Sequence, residues 1–392
     1  MPDPRPFGFF VHHQGRGHVE RIKAIVERLD DRPITVFTVA ADAFESLGDD
    51  RITAVRLDNG IGHPSPTAAL HDQVTPEALH CVPLGSAPMT RNVAAFTRFF
   101  AEERPGLFFV DVSAEWAVLA RLASVPAVTV RMHGDRADAS HLVGYEASVG
   151  MVAPYDAALE QPEYPERLRA RTFYSGGLCT TRDPVPDRDE ARRALGLPLD
   201  REIIVTLSGG GGTGAHYASL TMGARARQDA LWLALGPLHV EGHETDFPNL
   251  KRLGWVDRPM DYLAAADLVI ASAGDNTVHE IARAERPFLC IPEWRYYDEQ
   301  RVKARELARL GAAHVLADGW PASWTQWTDA LDATRALGAG RLAALFEPDA
   351  ARRIAEHLIE LDERLWTGPA PSSGPSAEAH GRRLPRELAF LG

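Results

Sequence analysis

The residues best suited to chemistry fall in three short segments, each built around glycine. The first is His12-His-Gln-Gly-Arg-Gly-His18, where Gly15 and Gly17 permit a tight turn and a close ligand approach, and an imidazole stands at the start of the next helix. The second is Ser208 followed by four glycines, Thr213 and Gly214. Exposed amides in such a loop can cradle a diphosphate. The third runs from Ser272 through Gly274, Asp275, Asn276 and Thr277 to Glu280, followed by Pro292 and then by Glu299-Gln300-Arg-Val-Lys303-Ala304. Gly274 closes a strand, and Asn276 and Thr277 open a helix whose dipole and free amides suit a phosphate. Glu280 then lies one turn on, where a carboxylate can accept from two ribose hydroxyls. Glu20 breaks a full GxGxxG pattern in the first segment, and the second lacks the GKS or GKT ending of a Walker loop.

These segments need strand ends to hold them. Apolar runs at Phe7–Val11, Ile34–Val39, Ile52–Leu57, Leu107–Val110, Ala127–Val130 and Thr172–Ser175 read as strands, with amphipathic helices such as Val19–Leu29 and Glu115–Ala123 between several of them. Continuous apolar strands alternating with helices predict a parallel sheet covered on both faces. A stretch rich in Pro, Asp and Arg, 179–189, reads as a linker, after which the pattern restarts. Ile203–Leu207, Leu231–Leu235, Leu250–Leu253, Leu268–Ala271 and Phe288–Ile291 are the strands of a second unit. The expected organisation is an N-terminal domain over 1–178, a C-terminal domain over 190–366 and a low-complexity, flexible tail over 367–392. Ligands of such sheets bind outside the carboxyl ends of the strands.

A chain of 392 residues suits two domains, and 45% hydrophobic with 24% charged residues is ordinary for a globular protein. The net charge of −12 argues against nucleic acid as a partner, because phosphate backbones are gripped by clustered Lys and Arg. Cys81, Cys179 and Cys290 lie far apart without metal-ligand spacing, which suits a reducing cytoplasm. No apolar run reaches the roughly 18 residues of a membrane span, so membrane contact is at most peripheral.

Taken jointly, the motifs resemble the donor-binding segment of GT-B glycosyltransferases. SAGDNTVHE, then RPFLCIP, then EQRVKA is similar to the HCGWNSxxE through EQxxNA box of the UDP-glycosyltransferases and to the equivalent segment of MurG-like N-acetylglucosaminyltransferases. Gly274, Asn276, Thr277, Glu280, Pro292, Glu299 and Gln300 fall on matching positions, as does Trp255 ahead of the box. The loop at 208–214 resembles the MurG-like phosphate loop, and the GxGH at 15–18 the family's first loop. Three positions depart: Ser272 replaces His, Asp275 replaces Trp, and Lys303 replaces Asn.

The resemblance implies an α/β GT-B fold of two Rossmann-like domains whose parallel sheets face an interdomain cleft. It implies a sugar moved from a nucleotide-sugar donor, UDP-linked, onto a small-molecule or lipid-like acceptor, with inversion, without a metal and without a cofactor. Ser208, Gly209, Gly210, Ser272, Gly274, Asn276 and Thr277 would surround the diphosphate, Trp255 the base, Glu280 the ribose, and Glu299 with Gln300 the sugar hydroxyls. His18 matches the catalytic base and Asp111 the residue that orients it, although Asp111 could instead cap the helix that follows. His12, His13, Asp275, His133 and Asp135 are rival bases or acceptor contacts, with His13, His133 and Asp135 on the acceptor side. DRD at Asp187–Asp189 is superficially metal-like but sits in the linker facing solvent. A sugar-nucleotide 2-epimerase shares this architecture and needs no acceptor, and a non-catalytic donor-binding subunit is a third reading.

Overall fold

The computed structural model describes residues 4–12, 15–29, 32–59, 65–242 and 244–368. Two parallel sheets dominate it. The first holds β1 (Phe7–Phe10), β2 (Ile34–Thr38), β3 (Ile52–Arg56), β4 (Leu107–Val110), β5 (Ala127–Val130), β6 (Gly150–Ala153) and β7 (Thr172–Tyr174) in the order β3-β2-β1-β4-β5-β6-β7. The second is built from β8 (Ile203–Leu207), β10 (Leu231–Leu235), β12 (Leu250–Gly254), β13 (Leu268–Ala271), β14 (Phe288–Cys290) and β15 (His314–Val315), ordered β12-β10-β8-β13-β14-β15. The two-residue strands β9 (Ala215–His216) and β11 (Leu238–His239) pair beside it. Each large sheet reverses strand order beside its first strand, so each has a switch point where the loops diverge and leave a crevice.

The central strands β1, β4, β5 and β6 are buried at every position because helices cover both faces. On one face lie Phe96, Phe99, Phe100 and Trp116, packed on Phe10, Phe37 and Phe108. Gly8 makes this packing possible: a Cβ there would stand 2.6 Å from the rings of Phe99 and Phe108. On the other face, α1 (Arg16–Val26) contributes Val19, Ile22, Ile25 and Val26.

The strand pattern read from sequence matches these two sheets, apart from β6, β15 and the two-residue pair. β6 is four residues of Gly, Met, Val and Ala directly after an apolar helix, so no change of period marks it. The outer boundary of the second domain is also different. Helix Ala350–Trp366 returns to the first lobe and buries Ile354, Ala355, Leu358 and Leu361 beside α1 and the first sheet. Its end is fixed by Arg32 to Asp362 at 3.0 Å and by Trp366 Nε1 donating to the Gly106 carbonyl at 3.0 Å. An apolar stripe at helical spacing does not say which sheet it will cover, and the segment 345–347 leads it across by pairing with Gly177. Of the tail expected to be flexible, residues 369–392 lie outside the described residues.

Leu358 is 1% exposed in this shared core. Leu358→Ala should cost about 2–5 kcal/mol through lost burial and the cavity left behind. Urea unfolding followed by circular dichroism checks this, and an unchanged midpoint would mean that the helix does not seal the first lobe.

Candidate active site in the interlobe cleft

The two switch points face each other. β1 runs into Val11 and His12, and α1 begins after Gly15, whose φ of 95° is in the region only glycine enters freely. His18 therefore sits on the first turn of α1, beside the end of β4, which pairs with β1 and carries Asp111. Its Nδ1 lies 2.8 Å from Asp111 Oδ2. Asp111 is fully buried and His18 is 21% exposed. Burial alone would push the Asp111 carboxyl up, but Arg21 and His18 outweigh it and hold the group well below the usual carboxylate range. Arg21 Nη2 donates to Asp111 Oδ1 at 2.6 Å. The next residue, Val112, has φ 58°, a strained conformation for a β-branched residue. Ser113, not Asp111, caps the following helix, accepting from the Trp116 amide at 3.5 Å.

Opposite stands helix Asp275–Arg283, which starts after Gly274 with no side chain capping its first turn. Its free amides and positive end suit an anion. Ser272, Asn276 and Thr277 are half-buried around it. The two lobes touch here: a Cβ on Gly17 would lie 3.2 Å from Asn276 Nδ2. In the glycine loop Ser208 turns inward, its Oγ accepting from the Ala215 amide at 3.0 Å, so the hydroxyl braces the loop. Gly209 and Gly210 are exposed, and the exposed Trp255 ring lies against Gly210, where a Cβ would come within 3.3 Å of it.

Three further carboxylate or amide groups have fixed partners. Glu280 accepts from Thr181 Oγ1 at 2.6 Å, and burial raises its carboxyl. It thus faces the segment that crosses between lobes. Gln300 is buried, its Oε1 accepting from the Glu293 amide at 2.8 Å. Glu299 takes Arg136 Nη2 at 2.8 Å from the other lobe. It follows Tyr297 and Asp298, both in left-handed conformations, and the Tyr297 carbonyl accepts from the Asp135 amide at 2.7 Å.

Beside His18 opens a cavity of about 1040 Å³ with mostly apolar and aromatic walls, among them Phe10, Met89, Trp116, Tyr145, Trp294 and Trp320. His133 is not part of its wall, contrary to expectation. It is fully buried, its Nε2 on the Leu159 carbonyl at 2.9 Å and its ring 4.2 Å from that of Tyr155, because the strand end turns it inward beneath Gly134. Asp135 is exposed and also outside the wall, whereas Arg136 of the same turn lines it. His13 lies outside the described residues. Asp187 caps helix Arg188–Ala194, accepting from the Asp189 amide at 2.9 Å, so DRD serves a helix start.

Residues outside the sequence motifs complete the cleft. His80, Asp138 and His141 bring ligand-type atoms within 4.8 Å of one another. Arg136 Nη1 contacts His141 Nε2 at 2.9 Å, and a guanidinium only donates, so the His141 proton is on Nδ1 facing Asp138. Asp138 also takes His80 Nε2 at 2.9 Å, which closes the cluster as a hydrogen-bond network. Arg21 is the other addition. It is buried, three residues after His18 on one helix face, a spacing that could have pointed to it. Its Nη1 reaches Asp275 Oδ2 at 3.5 Å across the cleft, and Lys303 pairs with the other Asp275 oxygen. Burial, with Arg21 and Arg136 nearby, pulls the Lys303 ammonium below its ordinary range, and the Asp275 carboxylate paired with it favours the charged form.

Residues 224–319 match the glycosyltransferase family 28 C-terminal domain. A curated relative from Carboxydothermus hydrogenoformans, the UDP-N-acetylglucosamine–N-acetylmuramyl-(pentapeptide) pyrophosphoryl-undecaprenol N-acetylglucosamine transferase, is 29% identical over 171 residues, covering 40% of this chain and 45% of the relative. The chain spans about half the length of the curated relatives it matches. Acinetobacter baumannii MurG superposes with a TM-score of 0.62 at 15% identity, over 91% of this chain and 100% of that one. Arabidopsis thaliana UGT89C1 does so with a TM-score of 0.65 at 16% identity, over 92% and 99%. With two parallel sheets facing a cleft, the chain has the GT-B fold.

Three buried histidines in and behind the cleft contribute to the response to acid. Burial lowers His141 and His279 to about 4 and His133 well below the ordinary 6.5. The unfolded chain therefore binds protons between pH 6.5 and 4 that the folded chain does not, so stability falls as pH drops through that window. Urea midpoints should decrease from neutral pH toward the lower limit, and a flat profile would contradict neutral burial of these rings.

Proposed function

We propose that this GT-B chain is a glycosyltransferase that moves a sugar from a nucleotide-diphosphate donor, a UDP-sugar in the first instance, to a hydroxyl of an acceptor held in the cleft. The observation that carries the reading is His18, 2.8 Å from buried Asp111, standing between the cavity and an uncapped helix N-terminus on the other lobe. Residues 1–178 hold the acceptor and those from 190 the donor, with Ala350–Trp366 rejoined to the acceptor lobe. The helix amides at Gly274, Asn276 and Thr277, with the loop from Ser208 to Gly210, receive the diphosphate, and Trp255 offers an exposed ring for the base. Glu280 reaches the ribose by exchanging its Thr181 partner for hydroxyls, and Glu299 and Gln300 meet the sugar.

With Nδ1–H donated to Asp111, His18 Nε2 carries a lone pair. It takes the proton of the acceptor hydroxyl as that oxygen bonds to the anomeric carbon, while the bond from that carbon to the diphosphate oxygen breaks. The diphosphate leaves onto the helix N-terminus, and a single displacement inverts the anomeric centre. A cavity large enough for a second substrate favours transfer over epimerisation, which needs none.

The walls also favour an acceptor class. The names of the curated relatives specify a pyrophosphoryl-undecaprenol acceptor. Here the two cations of the described lining are each paired, Arg136 with Glu299 at 2.8 Å and Arg295 with Glu293 at 2.7 Å. Glu115 adds a further negative charge, whereas Asp58 is paired with Arg91 at 2.7 Å. An uncharged, largely apolar aglycone fits this cavity better than a lipid diphosphate. No helix among the described residues is long and apolar enough to cross a membrane; a cytoplasmic site of action, with at most peripheral membrane contact, belongs to this reading.

His18→Ala should lower kcat by about 10²–10⁴-fold, with nucleotide affinity by calorimetry near wild type. Turnover within a few-fold of wild type, measured as UDP release with a neutral phenolic acceptor, would remove His18 from the base role. Activity should persist in EDTA. Loss restored by manganese or magnesium would assign the leaving group to a metal.

A further inference from the structure

Arg21 touches three titratable groups from three elements. On its own helix it meets His18, with Nη2 2.9 Å from Nδ1. At the end of β4 it meets Asp111 at 2.6 Å, and on the facing lobe Asp275 at 3.5 Å. Nη1 also rests on Met132 Sδ at 3.6 Å. Among the described residues, His12, whose ring centroid is 5.3 Å from that of His18, and Lys303, which pairs with Asp275 and feels the Arg136 charge, also border this group.

Two of these contacts compete for one atom. A guanidinium only donates and an ionised carboxylate only accepts, yet both stand within hydrogen-bond distance of His18 Nδ1. With its proton on Nδ1 the imidazole donates to Asp111 and leaves Nε2 free to take a proton. With a lone pair on Nδ1 it accepts from Arg21, and the proton moves to Nε2, where it blocks that role. The position of the Arg21 charge decides between the two. Asp275 draws Nη1 toward the donor lobe, and Asp275 is the first residue of the helix that would receive the diphosphate.

We propose that Arg21 is a positioning residue: through Asp275 it keeps the His18–Asp111 pair in the base-competent tautomer only while the two lobes are joined. The functional meaning rests on the glycosyltransfer reading above, whereas the tautomer itself does not. Two of the three departures from the family box, Asp275 and Lys303, then belong to one device, with Lys303 fixing the carboxylate that Arg21 answers to.

The test uses the full chain with ¹⁵N-labelled histidine, and long-range proton–nitrogen NMR at about pH 8, above the ordinary imidazole range. The His18 signal is assigned from the spectrum of His18→Gln. Wild type should show Nδ1–H. Asp275→Asn, a conservative change at a position 14% exposed, should shift most of the population to Nε2–H. It should also lower kcat by about tenfold or more with donor KM unchanged, and Asp275→Glu should recover both signals. An Nδ1–H tautomer retained in Asp275→Asn, or an Nε2–H tautomer in wild type, overturns the proposal. The expected tautomer shift in a protein that transfers no sugar would uphold the coupling and sink the glycosyltransfer reading instead.

Discussion

The site depends on one buried carboxylate. Asp111 has no access to solvent, and an ionised group in that position survives only if opposite charge and hydrogen bonds replace its lost hydration. Arg21 and His18 supply both, and they come from α1, one turn apart. The first lobe is arranged to make this meeting possible: β1 and β4 are adjacent, Gly15 turns the chain into α1, and the strained Val112 lets the chain leave the sheet directly behind the carboxylate. Removing Arg21 would leave the buried Asp111 carboxylate without its permanently charged partner. Geometry and protonation at this point are therefore a single constraint.

The second lobe answers that centre with an opposite design. Where the first lobe presents an imidazole held by a carboxylate, the second presents unfilled donors: the uncapped start of helix Asp275–Arg283 and an exposed run of glycine amides. Asp275 complicates the picture, because a carboxylate on the first turn opposes the pull of the helix start on an anion. Its side chain is drawn away by Lys303 and Arg21, which leaves the amides clear and converts the excess negative charge into a contact between lobes. Arg136 with Glu299, and the Asp135 amide with the Tyr297 carbonyl, make a second bridge on the far side of the cleft.

The lobes are also tied by the chain itself. It crosses once after β7 and again near 345–347, and the two crossings pair at Gly177. Helix Ala350–Trp366 then shares a core with α1, the helix that carries His18 and Arg21. His18 is thus mounted on an element packed from below by the chain's last described helix. Lobe position and helix position are mechanically connected.

Much of this was legible in the residues. Continuous apolar strands between helices dictate buried parallel sheets, because only strands covered on both faces are apolar throughout, and glycine loops at strand ends dictate where ligands approach. The residues therefore prescribed both sheets apart from β6 and β15, the loops at 15–18 and 208–214, the helix start at Gly274, and Asp111 as a candidate partner for His18. Tertiary structure alone decided which polar residues face which. His133 and Arg136 lie in the same turn, yet the first is buried and the second lines the cleft, since side-chain direction at a strand end follows from the packing beneath it. The last helix looked like part of the second domain because amphipathic spacing names a buried face but not its partner. Arg21, Asp275 and Lys303 were separate letters more than 250 positions apart at the extremes. Only the folded chain brings their charges together, because electrostatic contact depends on distance in space and burial, neither of which linear order encodes.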